Sequence, residues 1–330
     1  QRKPIVIANW KLNGGLDLIC TSVASFIGKH FEAQIVICPP YIYMRDMMTF
    51  LQYSELQIGS QNVSKFKSGA YTGETSAQML KQAGCALCLI GHSERRAMFA
   101  ENNPGCRTKV QLALNHGLLP VLCIGETKEE REAGTAKDVI FTQLSEGLLD
   151  IDLTGKDLCV AYEPVWAIGT GLAATPDMVQ EIHRFIRDKL EALYNPTIAQ
   201  SVRIVYGGSV NKTNAKELLN QQDIDGLLVG GASLDRALEE FEVFFTRFPD
   251  SPLVPEVKEK WRQARDRLSE HSFGVARLYY TMGVYSGSMS RLQEILKDDP
   301  GFSRTGGVLY YMGELYRRGW ETAPNESPAK

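Results

Sequence analysis

Eight short apolar runs recur along the first three-quarters of the chain: "PIVIAN" (4–9), "QIVICP" (34–39), "LQIGSQ" (56–61), "ALCLIG" (86–91), "LLPVLCIG" (118–125), "DLCVAYE" (157–163), "SVRIVYG" (201–207) and "DGLLVG" (225–230). Their near-continuous apolarity predicts strands buried on both faces. Amphipathic helical stretches follow them, for instance at 75–83, 127–149, 176–194, 211–221 and 235–248. Strand and helix in alternation make βα units around a parallel sheet, and eight units in about 250 residues fit a closed (β/α)8 barrel. A doubly wound sheet is the other candidate, but it would gather its glycines in the first βα turn. Here the polar and glycine positions that interrupt the apolar runs fall at strand C-terminal ends: Asn9, Lys11, His92, Glu163, Ser209, Gly230 and Gly231. That is where barrels place chemistry.

The pattern changes after Phe248. Residues 250–330 contain no buried-strand run, and carry Leu, Tyr, Trp and Arg at helical spacing between "PDSP", "DDPG" and "APNESP". Helices are expected near 256–269, 272–283, 286–297 and 305–319. Ala237, Phe241 and Phe244 precede Pro249 as Ser288, Leu292 and Ile295 precede Pro300, the second-helix pattern of a tetratricopeptide-type repeat. "ARLYYTMGVY" (276–285) and "LYYMGELYRR" (309–318) match as first helices, with Ala276 and Gly313 as the small contact residues. The chain thus reads as an α/β barrel over 1–234 with a C-terminal all-α helical-repeat extension over 249–330. The helix at 235–248 is shared. Asp235 can cap it, and Leu238, Phe241, Phe244, Phe245 and Phe248 give it an apolar face for strands one and eight. Its repeat partner is missing upstream, where barrel sequence stands, and the tail stops within a repeat. Both interruptions fit a fragment spliced into a barrel, a recombined or engineered fusion.

The 330 residues carry a formal net charge of −3, with 44% hydrophobic and 23% charged positions. That balance suits a soluble globular protein and makes no electrostatic case for nucleic acid or an anionic membrane. No run reaches the roughly 18 apolar residues of a membrane span, and no signal-peptide pattern opens the sequence. Seven cysteines without framework spacing point to reduced thiols and a cytoplasmic location. Cys85 and Cys88 form a C-x-x-C. On a strand, that separation sends the two to opposite faces, which favours small core residues over a redox or metal pair.

The motifs "ANWKLNG", "IGHSERR", "CIGETKEEREAG", "AYEPVWAIGTG", "YGGSV" and "LLVGGASL" stand in this order, each at the end of an expected strand. Together, from about Lys3 to Leu234, they strongly resemble the triosephosphate isomerase family. The resemblance implies interconversion of dihydroxyacetone phosphate and D-glyceraldehyde 3-phosphate through an enediolate, without metal or cofactor. It implies Glu163 as the carbon base, His92 as a neutral electrophile, Lys11 as the stabilising cation, Asn9 as its oxygen-orienting neighbour and Glu94 as an acidic partner. The residues agree physically. A carboxylate leaving an apolar strand before Pro164 can be desolvated and made more basic, and a helix N-terminus beside His92 disfavours imidazolium. Taken singly, Glu163 could be a salt-bridged strand end, His92 a satisfied core histidine and Lys11 a surface lysine. Cys123 and Glu126 match family positions as packing support or as a direct influence on the base.

For the phosphate, the resemblance implies Gly169, Ser209, Gly230 and Gly231, the last two after strand eight, where amides at a short helix start suit anions. It implies a lid of Pro164, Val165, Trp166, Ala167, Ile168, Gly169, Thr170, Gly171, Leu172, Ala173 and Ala174, held shut by Tyr206. Such lids exclude water, and this family is a known instance of one. "LAA" (172–174) departs from the family's usual Lys-Thr-Ala hinge, and Leu172 is expected to alter opening rates rather than the proton path. "NNPGC" (102–106) departs from an acidic helix start, which predicts a weaker helix there. A homodimer is implied, with loop "FKSGAYTGE" (66–74) entering the neighbour through Thr72 and Gln61 buried at the interface.

In the tail, "FTRFPDSP", "RDRLSEHSFGVARLYY" and "ILKDDPG" resemble the repeat region of the lipoprotein in the bacterial outer-membrane β-barrel assembly complex. That implies a partner-binding helical array, against a plain stabilising appendage. Without a lipidated N-terminal cysteine, membrane assembly activity is not expected. Two other readings stand beside the isomerase: an inactive barrel serving as scaffold for the repeat module, and another phosphate-binding barrel enzyme, which would not require Lys11, His92 and Glu163 together.

Overall fold

The structure is a computed structural model and describes residues 2–15, 18–19, 22–23, 26, 29–51, 54–167, 174–210, 214–230 and, in the tail, 269–319 apart from 271, 275, 278, 282 and 284. The chain divides into two compact units, Gln1–Phe26 with His30–Pro249 and Ile27–Lys29 with Asp250–Lys330.

In the first unit, β1 (Ile5–Asn9), β2 (Gln34–Cys38), β3 (Gln57–Ser60), β4 (Leu87–Ile90), β5 (Leu119–Ile124), β6 (Cys159–Tyr162), β7 (Arg203–Tyr206) and β8 (Gly226–Val229) form a closed barrel in sequence order. Every neighbouring pair is parallel, and β8 returns to β1 with Ile5 opposite Gly226 and Ala8 opposite Val229. All the expected apolar runs supply a strand. The barrel interior is filled by alternate residues, among them Ile5, Ile7, Val36, Cys38, Leu87, Leu89, Val121, Cys159 and Val205. The intervening ones, such as Val6, Ile37, Ile90, Leu122 and Val160, are equally buried on the opposite face, so alternation is invisible as polarity. Strand β3 contributes Gly59, whose missing side chain leaves room for Leu87 and Cys38: a Cβ there would lie 2.5 Å from Leu87 Cδ1 and 2.8 Å from Cys38 Sγ. Cys85 and Cys88 are buried and free, as the core reading of the C-x-x-C expects.

The helices are α1 (Met44–Leu51), α2 (Ala77–Gln82), α3 (Ser93–Met98), α4 (Asn103–Asn115), α5 (Lys128–Glu132), α6 (Ala136–Gly147), α7 (Pro176–Leu193), α8 (Pro196–Ser201) and α9 (Ala215–Leu219). The single helix expected over 127–149 is two. Thr127 and Glu130 form a capping box that starts α5, and Gly134, with φ 76°, turns the chain before α6. The weak start expected at "NNPGC" is corrected. Asn102 accepts from the Gly105 N–H, with Pro104 in the first turn, so a neutral cap and a preset φ replace the missing acids. At the strand N-terminal end of the barrel, the Arg187 guanidinium on α7 spans Asp223 and Asp225 at 2.7 Å each and donates to the carbonyls of Ala199 and Val202. Each partner is buried and hydrogen-bonded, the condition for a desolvated ion pair to be tolerated.

In the second unit, α10 (Tyr285–Asp298) and α11 (Thr305–Arg317) share a core of Phe273, Ala276, Met289, Leu292, Ile295, Phe302, Val308 and Leu315. Ser288, Leu292 and Ile295 are buried as the repeat pattern requires, and the Ser288 hydroxyl donates to the Ala276 carbonyl at 2.8 Å. Gly313 departs from expectation. A Cβ there would meet nothing within 4 Å, so among the described residues it is no helix contact. The helix expected at 235–248 and the seam around it lie outside the described residues. Among the described residues, no helix is long and apolar enough to cross a membrane.

Candidate active site

The C-terminal ends of β1, β4 and β6 deliver the predicted set to one place. Asn9 closes β1, and its side-chain oxygen accepts from the Lys11 N–H at 3.0 Å. This turn sets Lys11 in the left-handed region, φ 53°, and Gln61 ties it from below, donating to the carbonyls of Lys11 (2.8 Å) and Cys38 (2.9 Å). Gln61, expected at a subunit interface, thus has its amide engaged within its own chain. The Lys11 ammonium runs past Gly230, where a Cβ would sit 3.1 Å from Lys11 Cε, and pairs with Glu94 at 2.7 Å. One cation thereby joins the end of β1 to the glycine after β8 and to α3.

His92 ends the β4 loop and caps α3. Its Nδ1 accepts from the Glu94 N–H at 3.3 Å, and a ring nitrogen that accepts carries no proton. The proton of the neutral ring therefore sits on Nε2, 3.0 Å from Glu163 Oε1. Burial alone would lower the imidazole pKa, but the Glu163 carboxylate outweighs it and raises the pKa above the ordinary value. Glu163 follows β6, is almost fully buried, and takes a second hydrogen bond on Oε2 from the Ser93 N–H at 3.0 Å. Gly207 makes room for it, since a Cβ there would lie 2.8 Å from Glu163 Cγ. Beneath it Cys123 is fully buried, its thiol pKa raised by burial first and by the Glu163 carboxylate second.

Glu126 organises the start of the segment expected to form a lid. One of its oxygens, Oε1, accepts from Arg131 (3.0 Å), the Tyr162 hydroxyl (3.1 Å) and the Trp166 indole (3.0 Å), and Arg131 lies over the Trp166 ring at 4.8 Å. Pro164–Ala167 turns tightly, with the Ala167 N–H on the Pro164 carbonyl at 2.8 Å. Ser209 donates its hydroxyl to the Ala167 carbonyl. The Tyr206 hydroxyl is buried beside the Ala174 backbone without completing a hydrogen bond, and burial pushes it up to about 12. Gly169, with the rest of the lid from 168 to 173, and Gly231 lie outside the described residues. Thr72 is exposed on its loop. Among the described residues, no group of three or more His, Cys, Asp or Glu is arranged to hold a metal. Sequence reasoning undervalued Glu126 and missed Gln143, whose amide clamps the Gly125 peptide.

The arrangement is a buried carboxylate facing a neutral imidazole, with an ammonium and an acid alongside and glycines after β8. It suits proton transfer at carbon next to an oxygen that must be stabilised. Comparison with known proteins agrees. A family model described as triosephosphate isomerase matches residues 4–245, and one described as outer membrane lipoprotein matches 173–330. A protein of Vesicomyosocius okutanii named triosephosphate isomerase is 44% identical over 240 residues, 71% of this chain and 95% of that relative. One of Hydrogenovibrio crunogenus with the same name is 45% identical over 240 residues, 71% of this chain and 94% of its own. One of Porphyromonas gingivalis, named alike, is 43% identical over 251 residues, 74% of this chain and the whole of the relative.

Proposed function

The chain belongs to the triosephosphate isomerase family, and from that premise we propose how its own residues interconvert dihydroxyacetone phosphate and D-glyceraldehyde 3-phosphate. Glu163 exchanges its bonds to His92 and Ser93 for the substrate, takes a proton from C1 of the ketose and leaves an enediolate. The same proton is returned at C2 to give the aldehyde. His92, freed at Nε2, gives its Nε2 proton to O2 and takes the hydroxyl proton from O1, so the O–H moves from C1 to C2 as the C–H proton moves the same way. With the carboxylate turned to the substrate, the largest of the influences raising the imidazole pKa weakens, while burial and Lys11 favour the neutral ring against Glu94. Lys11 stabilises the enediolate charge, and Glu94 and Asn9 hold Lys11 in place. Gly230, Gly231, Gly169 and Ser209 bind the phosphate under the lid, with Ser209 exchanging the Ala167 carbonyl for the anion or its closed lid.

The observation that carries this reading is the 3.0 Å approach of Glu163 to His92 beside the Lys11–Glu94 pair. Glu163→Gln should lower kcat by about a hundredfold or more, the scale of a lost general base, while the protein still folds. Turnover indifferent to that change in a coupled isomerase assay would overturn it. Three further proposals go with it. Leu12, Ile42, Met98 and Phe99 are 97, 78, 73 and 64% exposed, in the segments that follow β1, β2 and β4, which supports an isologous homodimer through that face. The described cysteines are all free and buried, which supports a reducing, cytoplasmic setting. The repeat unit, with Leu309, Tyr310 and Tyr316 exposed on α11, suits a protein partner.

A further inference from the structure

The loop after β5 does more than carry Glu126. The Glu163 N–H donates to the Ile124 carbonyl at 2.8 Å, and the Val165 N–H donates to the Glu126 carbonyl at 3.0 Å. The β5–β6 ladder therefore continues past the strand ends and brackets the base and the first lid residues between 124 and 126. Gly125 stands in the middle. A Cβ at Gly125 would lie 1.8 Å from the Glu163 carbonyl oxygen, so the two backbones touch and a displacement of one is passed to the other.

Gly125 cannot use its own peptide groups in that ladder, because the bonds on either side skip it. Both groups are taken by one side chain. The Gly125 N–H donates to Gln143 Oε1 at 2.7 Å, and Gln143 Nε2 donates to the Gly125 carbonyl at 3.1 Å. Gln143 belongs to α6, a helix otherwise fixed by Ile140, Leu144 and Gly147 against the barrel. We infer that Gln143 is a positioning residue for the isomerisation: its amide clamps Gly125, and through Gly125 fixes the Glu163 backbone and the root of the lid as one rigid frame. It touches no substrate. Its effect reaches the chemistry through the placement of the carboxylate and through Glu126, which holds Trp166 at 3.0 Å.

The molecule supplies its own control. Gln180 on α7 makes the same two-way amide bond to Asp223, accepting from its N–H at 3.0 Å and donating to its carboxylate at 2.7 Å. That clamp lies before β8, at the opposite end of the barrel from the site. Loss of either amide orphans a backbone N–H, so both should lower thermal stability alike. Only Gln143 should affect turnover.

The test rests on the isomerase reading and uses the full chain, with kcat, KM and inhibition by inorganic phosphate measured for the wild type, Glu163→Gln, Gln143→Leu and Gln180→Leu. Gln143→Leu should lose about tenfold or more in kcat, as a misplaced base does. Its KM and phosphate inhibition should change by less than its kcat, because Gly230 after β8 lies outside the clamped frame. Gln180→Leu should lower the Tm yet keep its kcat. If Gln143→Leu does not fold, Gln143→Glu decides, since it keeps the shape and the acceptor but sets a carboxylate against the Gly125 carbonyl, and it should show the same kcat loss. An unchanged kcat in a folded Gln143 variant, or an equal loss in Gln180→Leu, overturns the inference while leaving the isomerase reading intact. A wild-type chain without turnover sinks both, and an active Glu163→Gln overturns the reading on its own.

Discussion

Two residues near the site hold a left-handed backbone without being glycine: Lys11 at φ 53° and Ala100 at φ 52°. Their situations differ. The neighbours of Lys11 over-determine it, since Asn9 takes its N–H and Gln61 donates to its carbonyl; such strain is characteristic of working residues. Ala100 is exposed between Phe99 and Glu101, and only the chain reversal after α3 demands its conformation. Ala100→Gly should therefore stabilise the barrel by about 0.5 to 1 kcal/mol, the left-handed penalty of alanine less the extra unfolded-state freedom of glycine. That is about 1 to 4 °C in Tm for a barrel of this size, read by thermal denaturation with kcat unchanged; a lower Tm would show that the methyl group packs usefully. The residues proposed to meet the substrate were legible because each sits at or just past the end of an apolar run, where chain direction aims it at the site. Glu126 and Gln143 were less so. One looks like the start of an acidic helix and the other like a polar position mid-helix, and their meaning appears only when Tyr162, Trp166 and Gly125 arrive from elsewhere in the chain.

Helix α7 shows what an element can hide. The run Pro176–Leu193 reads as an amphipathic helix and is one, capped by Thr175. Its apolar face, however, includes His183, which is fully buried, donates through Nδ1 to the Asp223 carbonyl at 3.1 Å and meets the Tyr162 ring edge-on. Burial holds its pKa at about 4, far under the ordinary imidazole value. Its sign follows from linkage. Between about pH 6.5 and 4 the unfolded chain binds this proton and the native one does not, so stability is intact above 6.5 and falls as the pH drops through that window. The full loss is roughly 3 kcal/mol at about 1.4 kcal/mol per unit of pKa difference. His183→Gln, which keeps a donor for Asp223 and removes the titration, should flatten the fall in denaturant-unfolding free energy between pH 6.5 and 4. An equally steep fall would assign the acid sensitivity to other groups. Strand and helix periods made the elements legible, while the break between α5 and α6 was not, because α5 is charged throughout and buries no residue, so no apolar face changes direction at Gly134.

At the scale of the whole molecule, the barrel half exposes large apolar side chains that the proposed dimer would cover. Leu12, Ile42, Met98 and Phe99 face solvent, and the loop between them is pre-shaped: Phe66 stacks on Tyr71 with ring centroids 3.6 Å apart, and the Ser64 N–H closes its base on the Thr75 carbonyl at 2.9 Å. Thr72 is exposed on that loop, where the proposed dimer would bury it. Burying four large apolar side chains is worth several kcal/mol, at about 1.5 to 3 for each, whereas scattered surface apolar residues would call for no explanation. The sequence could announce this loop by motif but not its exposure, which depends on strands brought together by barrel closure. Light scattering behind a sizing column should give the wild-type chain twice its 36.8 kDa mass, with the tail attached. Ile42→Glu sets a charge on each side of a two-fold interface, so one substitution is felt twice. It should shift the protein to a monomer, and its specific activity should fall on dilution at concentrations where the wild type holds steady. A wild-type monomer with full turnover would mean that the Lys11 loop, held by Asn9 and Gln61 alone, needs no neighbour, and that the exposed face serves some other contact.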